Sequence, residues 1–358
     1  MTKLNLQTLF RPEVLALSAY HVADAQGFIK LDAMENPYTW SEDLKQSWLA
    51  KLKDAPLNRY PDPEARELTQ TLKISNQLPD NIDLLLGNGS DEIIQLLLMA
   101  LPVNSHVLST TPSFVMYKQI SDYLGLNYHG VSLRADNFDL DLPAMLNAIE
   151  KYNPAIIFLA YPNNPTGNLF SSDAINTIID AANGLVIIDE AYEPFANASF
   201  MNRVANNVLV MRTVSKLGLA GLRLGYIAGE HEIIEQLHKI RLPYNINVLT
   251  QSSVQFALEH KAVFEKQTHA ICAERTVMLS ALNSLNGITA FDSAANFILF
   301  KTPENQATKI FEAIKAQGVL IKNVHPQGGL LTDCLRVTVG TPEENQAFLQ
   351  ALKVALSR

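Results

Sequence analysis

The fold is decided by residues 155–190, AIIFLAYPNNPTGNLFSSDAINTIIDAANGLVIIDE. The apolar run at 155–160 leads into a loop with two prolines and a glycine, which marks a tight turn. A helical pattern follows at 171–182, and a second apolar run at 185–190 ends in two acids. An apolar strand, a helix and another apolar strand in this order predict two parallel strands joined by a helical crossover.

The same alternation extends from about residue 83 to residue 230. Further apolar runs lie at 83–87, 106–110, 208–213 and 224–229, and a helical pattern lies at 90–101. Continuous apolar strands separated by helices are typical of an α/β fold with a mostly parallel sheet covered by helices on both faces. In such sheets, ligands bind at the carboxyl ends of the strands.

The pattern changes after about residue 240. A long helical region at 247–284 leads to strands around 295–300 and 334–340, and a C-terminal helix follows. Because 358 residues are long for one hydrophobic core, we expect two domains. We place an N-terminal arm at 1–30, a large domain at 31–240 and a small domain at 241–358. The small α/β domain is expected to form from the C-terminal part and the N-terminal segment.

Composition restricts the classes of partner. Hydrophobic residues make up 47% of the chain and charged residues 18%, as in a folded globular protein. The formal net charge is −8 and no basic run occurs, which argues against nucleic acid and anionic membranes as partners. Cys272 and Cys334 lack the spacing of a disulfide framework or zinc cluster and suit a reducing compartment. Without a signal peptide or an apolar stretch of membrane-spanning length, the expected location is the cytoplasm.

A candidate anion site lies in GNGSDEIIQLLL (87–98), where glycines turn the chain from a strand into a helix beginning near Ser90 or Asp91. The free amide groups and the dipole of a helix N-terminus attract anions, and phosphate fits best. The alternative is an ordinary glycine turn in which Ser90 or Asp91 caps the helix.

Two further candidates follow strands of the predicted sheet. Asn164, in YPNNPTGNLF (161–170), places an amide on a rigid loop; the alternative is a loop that serves only as a turn. Asp189 ends a fully apolar strand, and Tyr192 follows it. A buried carboxylate needs a cation or a metal, or else it caps a loop or pairs with an arginine. Metal is disfavoured because no HxH or HxxxH spacing occurs.

The fourth candidate is TVSKLGLAGLRLGY (213–226), in which Lys216 lies among small apolar residues. Lysine is rarely buried, and the alternative is a solvated surface lysine. Arg223 offers a guanidinium fork for phosphate, and Thr213 and Ser215 add hydroxyl donors. Together, the four candidates describe a phosphate site, a flat aromatic ring with an acid at one edge, and a lysine beside an aldehyde. This combination predicts a pocket for pyridoxal 5'-phosphate.

Eight motifs in one order carry a resemblance to a known family. They are LDAMENP (31–37), NRYPDP (58–63), GNGSDE (87–92), TPSFVMY (111–117), NNPTG (163–167), DEAY (189–192), SKLGLAGLRLGY (215–226) and CLRVTVG (334–340). Over essentially its whole length the chain resembles the fold-type I, aspartate-aminotransferase-like enzymes that use pyridoxal phosphate. Within that family it is most similar to the members that act on histidinol phosphate.

The resemblance implies a role for each matching residue. Lys216 would bond covalently to the cofactor aldehyde and then act as general base, and Asp189 would keep the ring nitrogen protonated. Asn164 and Tyr192 would hydrogen-bond the ring's 3′ oxygen, and Phe114 would stack on the ring. The phosphate would be held by Gly89, Ser90, Asp91, Thr213, Ser215 and Arg223. Resembling enzymes often have a cis bond at the position of Asn164–Pro165.

The resemblance also implies a homodimer and a substrate site. Tyr60 would reach the phosphate bound in the neighbouring subunit. Arg336 would bind the substrate's carboxylate or phosphate, and Tyr20 and Asn36 would also contact substrate. Two departures occur: the loop between Lys216 and Arg223 is one residue shorter than in some relatives, and Lys322 stands where many have arginine. A lysine binds phosphate as a point charge without the bidentate fork.

The implied reaction interconverts histidinol phosphate and 2-oxoglutarate with imidazole-acetol phosphate and glutamate, a step of histidine biosynthesis. The alternatives within the fold are an aromatic amino acid aminotransferase and a threonine-phosphate decarboxylase-like enzyme. A non-catalytic regulator of this fold is disfavoured, because such proteins carry an added DNA-binding module. This chain has neither spare length nor a basic segment for one.

Overall fold

The structure is a computed structural model that describes residues 4–19 and 22–357. Its strands are β1 Ile29–Lys30, β2 Ile82–Gly87, β3 His106–Thr111, β4 Asn127–Ser132, β5 Ile156–Ala160, β6 Leu185–Asp189, β7 Val208–Thr213, β8 Gly225–Glu230, β9 Thr289–Ala290, β10 Phe297–Lys301, β11 Val319–Leu320, β12 Lys322–Asn323 and β13 Cys334–Thr338. Its α-helices are α1 Pro12–Leu15, α2 Glu42–Leu52, α3 Arg66–Ser75, α4 Ser90–Met99, α5 Val115–Leu124, α6 Leu142–Tyr152, α7 Ser172–Ala181, α8 His231–His238, α9 Val248–Glu259, α10 Lys261–Asn283, α11 Ala307–Lys315 and α12 Pro342–Leu356.

A seven-stranded sheet forms the centre of the molecule, in the order β2-β8-β7-β6-β5-β3-β4. Strands β4, β3, β5, β6 and β7 pair in parallel, and β8 runs antiparallel to both of its neighbours. The mostly parallel sheet predicted from the apolar runs is therefore confirmed. The edge strand β4 was not predicted, because its sequence NYHGVS is half-exposed and has no apolar run.

Helices cover both faces of this sheet, as the continuous apolar strands require. One face packs against α3, α6, α7 and α9 through residues such as Leu72 and Ile175. The other packs against α4, α5 and α8 through residues such as Ile93 and Tyr117. Helix α7 begins where the sequence offers a cap, since the Ser171 side chain accepts a hydrogen bond from the Ala174 amide. A cap of this kind stabilises a helix by about 1 kcal/mol.

The strand register brings the chemically important residues to one edge of the sheet. Ala160 is paired with Asp189 across β5 and β6, and Thr213 is paired with Gly225 across β7 and β8. Gly87, at the end of β2, is also paired with Gly225. The loops that follow β2, β5, β6 and β7 therefore start side by side.

The C-terminal part forms a second, antiparallel sheet in the order β12-β13-β10-β9, with α10, α11 and α12 packed against it. The N-terminal segment joins this unit, because β1 pairs in parallel with β11. The predicted α/β fold with a smaller C-terminal and N-terminal unit is confirmed. The helical region expected at 247–284 is divided at His260 into α9 and α10. The domain boundaries after residues 30 and 240 stay a prediction; Val254 of α9 packs in the core of the large sheet.

Two features are absent from the described residues. In the parts of the chain that the structure describes, no helix combines the length and apolar character needed to span a bilayer. Over the same residues, no group of three or more histidine, cysteine or acidic side chains is placed to bind a metal ion.

Candidate functional site

A cavity of about 240 Å³ lies at the carboxyl edge of the large sheet. Ten of the residues that the sequence predicts line it: Ser90, Asp91, Phe114, Asn164, Asp189, Tyr192, Thr213, Ser215, Lys216 and Arg223. They come from five segments of the chain, which end or follow β2, β3, β5, β6 and β7, and the order of these strands in the sheet brings them together. The remaining walls include Ala33, Met34 and Glu35 from the N-terminal part of the chain.

Lys216 lies in a short 3₁₀ turn, Val214–Leu217, that directly follows β7. Its Nζ donates to the carbonyl of Ala33 at 3.4 Å and lies 5.6 Å from the centre of the Tyr192 ring. Burial lowers the pKa of Lys216 to about 8, and the cations of Arg336 and Arg223 act in the same direction. A larger fraction of this amine is therefore neutral near pH 7 than in an ordinary lysine, as a nucleophilic lysine requires.

The start of α4 and the loop after β7 form an anion cradle at one end of the cavity. Gly89 precedes the helix with φ 87° and provides no side-chain cap, so the first amides of α4 are open to a ligand. A Cβ on Gly89 would lie 2.5 Å from Nη2 of Arg223, and one on Gly225 would lie 2.7 Å from the Ser90 nitrogen. Glycine at both positions thus lets the guanidinium and β8 approach the helix start. Amides, a guanidinium and hydroxyls at one point suit a phosphate.

Two hydroxyl residues complete this cradle. The Thr213 hydroxyl donates to the Leu224 carbonyl at 2.9 Å and accepts from the Ser215 amide at 3.2 Å. Arg223 lies 3.6 Å from the Asp91 carboxylate, measured from Nη2 to Oδ2. The backbone of Arg223 has φ 50°, the left-handed conformation, which turns the chain into β8. The cradle is therefore held by local hydrogen bonds of the loops that form it.

Asp189 lies at the other end of the cavity and is 5% exposed. Its Oδ2 accepts from the Tyr117 hydroxyl at 2.5 Å, and its Oδ1 accepts from the Ala191 amide at 3.1 Å. Burial raises the pKa of Asp189 to about 6, although these two hydrogen bonds act against that rise. At neutral pH the carboxylate is thus mainly ionised, as a partner for a protonated ring nitrogen must be.

A chain of hydrogen bonds links Asn164 to the C-terminal sheet. The Asn164 amide donates to the Tyr192 hydroxyl at 3.0 Å, and Nη1 of Arg336 donates to Asn164 Oδ1 at 2.6 Å. Arg336 also donates from Nη2 to the Asp32 carbonyl at 2.9 Å and lies over the Phe297 ring at 5.2 Å. The Asn164–Pro165 peptide bond is cis, as the resemblance led us to expect.

Other predicted site residues lie outside the residues that line the cavity. Tyr60 is 79% exposed, and its ring stacks on that of Tyr244 with centres 4.4 Å apart. The Asn36 side chain hydrogen-bonds within the chain, donating to the Leu217 carbonyl at 3.2 Å and to Gln267 Oε1 at 3.0 Å. Lys322 is paired with Arg336 across β12 and β13, so their side chains share one face of the sheet. Tyr20 lies outside the described residues.

Two residues of the site were missed by sequence reasoning. Glu35 lies in the LDAMENP motif and reaches the cavity wall, but an exposed acid in a loop gives no distinct pattern. Tyr117 lies in the TPSFVMY motif, three residues after Phe114. Phe114 is the N-cap of α5 and Tyr117 follows it by three residues, so the spacing from the residue predicted to stack on the ring was a usable signal for Tyr117.

A larger cavity of about 330 Å³ lies behind Thr213, lined by Arg212 and Glu190 among others. Its main charges are paired with each other, since Nη2 of Arg212 lies 2.8 Å from the carboxylate oxygen Oε2 of Glu190. Size alone therefore does not identify the reactive site. The smaller cavity is the stronger candidate, because it combines a half-buried amine, a buried acid and an anion cradle.

Comparison with known proteins agrees with this geometry. The chain is 56% identical over 357 residues to histidinol-phosphate aminotransferase 2 of Nitrosococcus oceani, covering 99% of each chain. It is 49% identical to histidinol-phosphate aminotransferase of Chromobacterium violaceum, covering 98% of this chain and 99% of that one. In fold it is similar to histidinol-phosphate aminotransferase from Sinorhizobium meliloti, solved in complex with pyridoxal-5'-phosphate, with a TM-score of 0.86, 21% identity and 97% coverage of both chains.

The model of one family, aminotransferase class I and II, matches residues 26–352. The match includes all of the strands described above and all of the residues that line the cavity. The chain belongs to the aminotransferase class I and II family.

Proposed function

We propose that this protein is a pyridoxal-phosphate-dependent aminotransferase that interconverts histidinol phosphate and 2-oxoglutarate with imidazole-acetol phosphate and glutamate. The observation that carries the proposal is the meeting of Lys216, Asp189 and the α4 anion cradle in one cavity of about 240 Å³. The names of relatives 56% and 49% identical over nearly their whole length support the choice of substrate.

The residues of the cavity fit the cofactor at each of its functional groups. The phosphate would lie on the first amides of α4, with Arg223 beside it. Asp189 would accept a hydrogen bond from the ring nitrogen, and Asn164 and Tyr192 would bind the ring's 3′ oxygen. Phe114 would cover one ring face. When bound, pyridoxal phosphate supplies an electron sink for the charge left on the substrate carbon.

Lys216 would then perform the proton transfer. With its pKa lowered to about 8, Nζ is a base of suitable strength near neutral pH. It would take the proton from the substrate carbon that bears the amino group and deliver it to the cofactor carbon. The Ala33 carbonyl, 3.4 Å from Nζ, holds the amine at the cavity wall beside the Tyr192 ring. Asp189 would remain ionised throughout and stabilise positive charge at the ring nitrogen.

The phosphate of the substrate is proposed to bind at the C-terminal sheet. Arg336 is 7% exposed and contacts Asn164, so it adjoins the wall of the cavity that Asn164 forms. Lys322 lies directly opposite on β12 and places a second positive charge on the same face. Two adjacent cations favour a doubly charged phosphate over the single carboxylate of an aromatic amino acid.

We also propose that the protein works as a homodimer in the cytoplasm. Tyr60 and Tyr244 stack on each other at the surface, and the neighbouring leucines Leu57 and Leu242 are 71% and 72% exposed. Exposed apolar side chains beside a predicted cross-subunit tyrosine suit contact with a second copy. Both cysteines are free in the described residues, which accords with a reducing compartment. Sedimentation of the purified protein tests the dimer.

The substrate proposal is tested by comparing amino donors at equal concentration. Histidinol phosphate with 2-oxoglutarate should give a kcat/KM at least about tenfold above that for phenylalanine, the factor expected from one added charged contact. A preference for phenylalanine would support an aromatic aminotransferase instead. Release of carbon dioxide from threonine phosphate would support the decarboxylase alternative. Lys322→Ala should raise the KM for histidinol phosphate and leave that for phenylalanine unchanged.

A further inference from the structure

Tyr117 is a buried tyrosine to which neither the sequence motifs nor the proposed mechanism gives a role. It lies on α5 and has no exposed surface. Its hydroxyl donates to Oδ2 of Asp189 at 2.5 Å. Because the residue is enclosed in the core, the phenol cannot exchange this partner for water. The hydrogen bond is therefore a permanent part of the environment of Asp189.

Two aromatic neighbours fix where the Tyr117 hydroxyl can point. The Tyr117 ring stacks on Phe158 with centres 4.5 Å apart and planes 7° apart. Phe114 meets it edge to face at 5.6 Å and 83°. Phe158 belongs to the central strand β5, and Phe114 lines the cavity. The ring is thus held between the sheet and the cavity wall, and its hydroxyl is aimed at the carboxylate.

Asp189 needs this donor because most of its other surroundings oppose its charge. It is buried, and the carboxylates of Asp91 on α4 and Glu190 at the end of β6 raise its pKa further. The other titratable or charged groups that line the cavity are Glu35, Tyr192, Lys216 and Arg223. Hydrogen bonds from Tyr117 and from the Ala191 amide favour the ionised form. Each occupied oxygen keeps a second lone pair free to accept from a ligand.

We propose that Tyr117 is a positioning residue that keeps Asp189 ionised and aims its carboxylate at the ring nitrogen of the cofactor. This inference rests on the proposed function, since it concerns the partner of that nitrogen. Tyr117 itself touches neither cofactor nor substrate and acts through Asp189. Its hydroxyl should therefore matter only for ligands and reactions that use a protonated ring nitrogen.

The test is Tyr117→Phe, which removes one oxygen and keeps the stacked ring. Cofactor-free protein is titrated with pyridoxal phosphate and with its analogue in which carbon replaces the ring nitrogen. We expect the variant to bind pyridoxal phosphate about tenfold more weakly and the carbon analogue as well as the wild type does. The acidic limb of the kcat profile should move up by about one pH unit, because the Asp189 pKa rises when the donor is lost.

Tyr226→Phe is the matched control. It also removes a buried hydroxyl from a residue of the large sheet, one that donates to Asn76 Oδ1 at 3.2 Å. This variant should leave both affinities and the pH profile unchanged. If Tyr117→Phe fails to fold, a ring-fluorinated tyrosine at position 117 retains the donor and strengthens it. The acidic limb should then move to lower pH.

Three results would overturn the inference. If Tyr117→Phe bound pyridoxal phosphate and the carbon analogue more weakly by the same factor, the role of Tyr117 would be packing. An acidic limb of the kcat profile that stayed in place would show no effect on Asp189. An unmoved limb in the fluorinated protein would have the same meaning. These results leave the proposed function standing. In contrast, a wild type that takes up no pyridoxal phosphate would overturn the proposed function as well.

Discussion

The two ends of the cavity are built in different ways. At the phosphate end, the cradle comes from short stretches of chain: Gly89 and Ser90 lie beside each other, and Thr213 contacts Ser215 and Leu224 within its own loop. At the ring end, the contacts join distant residues. Tyr117 and Asp189 are 72 positions apart, and Asn164 and Arg336 are 172 apart. The cradle thus consists of two short segments with their own local hydrogen bonds, whereas the contacts at the predicted ring end are made between residues far apart in sequence.

Lys216 lies between the two ends, and its removal should break the site as a whole. Lys216→Ala should reduce transamination roughly 10⁴-fold, because both the covalent attachment point and the general base are lost. The absorbance band of bound cofactor seen in the wild type should also be absent. Steady-state assays and a spectrum of each purified protein measure this. Lys53→Ala, at an exposed position, is the control, and a coloured, active Lys216→Ala would refute the assignment.

Asp189→Ala removes the charge at the ring end and leaves the cradle intact. We expect turnover to fall by roughly 10³-fold, in the range of lost electrostatic stabilisation at a reacting centre. The protein should still retain some cofactor, since the phosphate contacts remain. Single-turnover assays and cofactor titration separate the two effects. Asp180→Ala, an exposed acid on α7, should behave as the wild type, and near-normal turnover of Asp189→Ala would contradict the role given to this acid.

Acidification should affect Lys216 and the Asp189 end of the cavity at different pH values. Burial places the pKa of Lys216 at about 8, below its ordinary value of 10.5, so the neutral amine becomes scarcer as the pH falls below about 8. The rate at which cofactor-free protein takes up pyridoxal phosphate should fall by about tenfold per pH unit in that range. Below about pH 6, protonation of Asp189 should add a second loss. Stopped-flow absorbance measures the rate, and a pH-independent rate would rule out this amine as the reacting group.

Gly89→Ala tests the cradle alone. The new Cβ would meet Nη2 of Arg223 at 2.5 Å and would be strained at φ 87°. We expect cofactor affinity to fall about tenfold as the guanidinium is displaced, with kcat at saturating cofactor little changed. Gly221→Ala is a matched control, because a Cβ there meets nothing within 4 Å. A large loss of kcat in saturating cofactor would mean that the two ends are not independent.

Tyr60→Phe should have the smallest effect. Loss of the one hydrogen bond that Tyr60 is proposed to donate to the phosphate in the second subunit should weaken cofactor retention by about threefold. Tyr152→Phe, away from the cavity, serves as its control. Equilibrium dialysis of the dimer measures retention. An unchanged affinity would count against the cross-subunit contact. It would mean that one chain supplies all of the phosphate contacts.

The difference between local and long-range contacts also determines how much of the fold and the site the sequence could predict. Apolar runs located the strands that carry Asp189 and Thr213, because central parallel strands are apolar throughout. The glycine turn before Ser90 located the cradle. The half-exposed strand β4 had no such pattern. The hydrogen bond from Tyr117 to Asp189 depends on which face of α5 packs against β5. The hydrogen bonds of the Asn36 side chain depend on contact with Leu217 and Gln267. Such contacts arise only after the elements have packed.

The pairing of β1 with β11 has a mechanical consequence. Leu31 continues this pairing, donating its amide to the Leu320 carbonyl at 2.8 Å and accepting from the Thr338 amide at 2.9 Å. Two residues later, Ala33 provides the carbonyl that holds Lys216. A rotation of the C-terminal sheet therefore displaces the acceptor of the reactive amine together with Arg336. Any movement of this sheet that opened the substrate side of the cavity would therefore also shift the Lys216 contact, because one extended segment carries both.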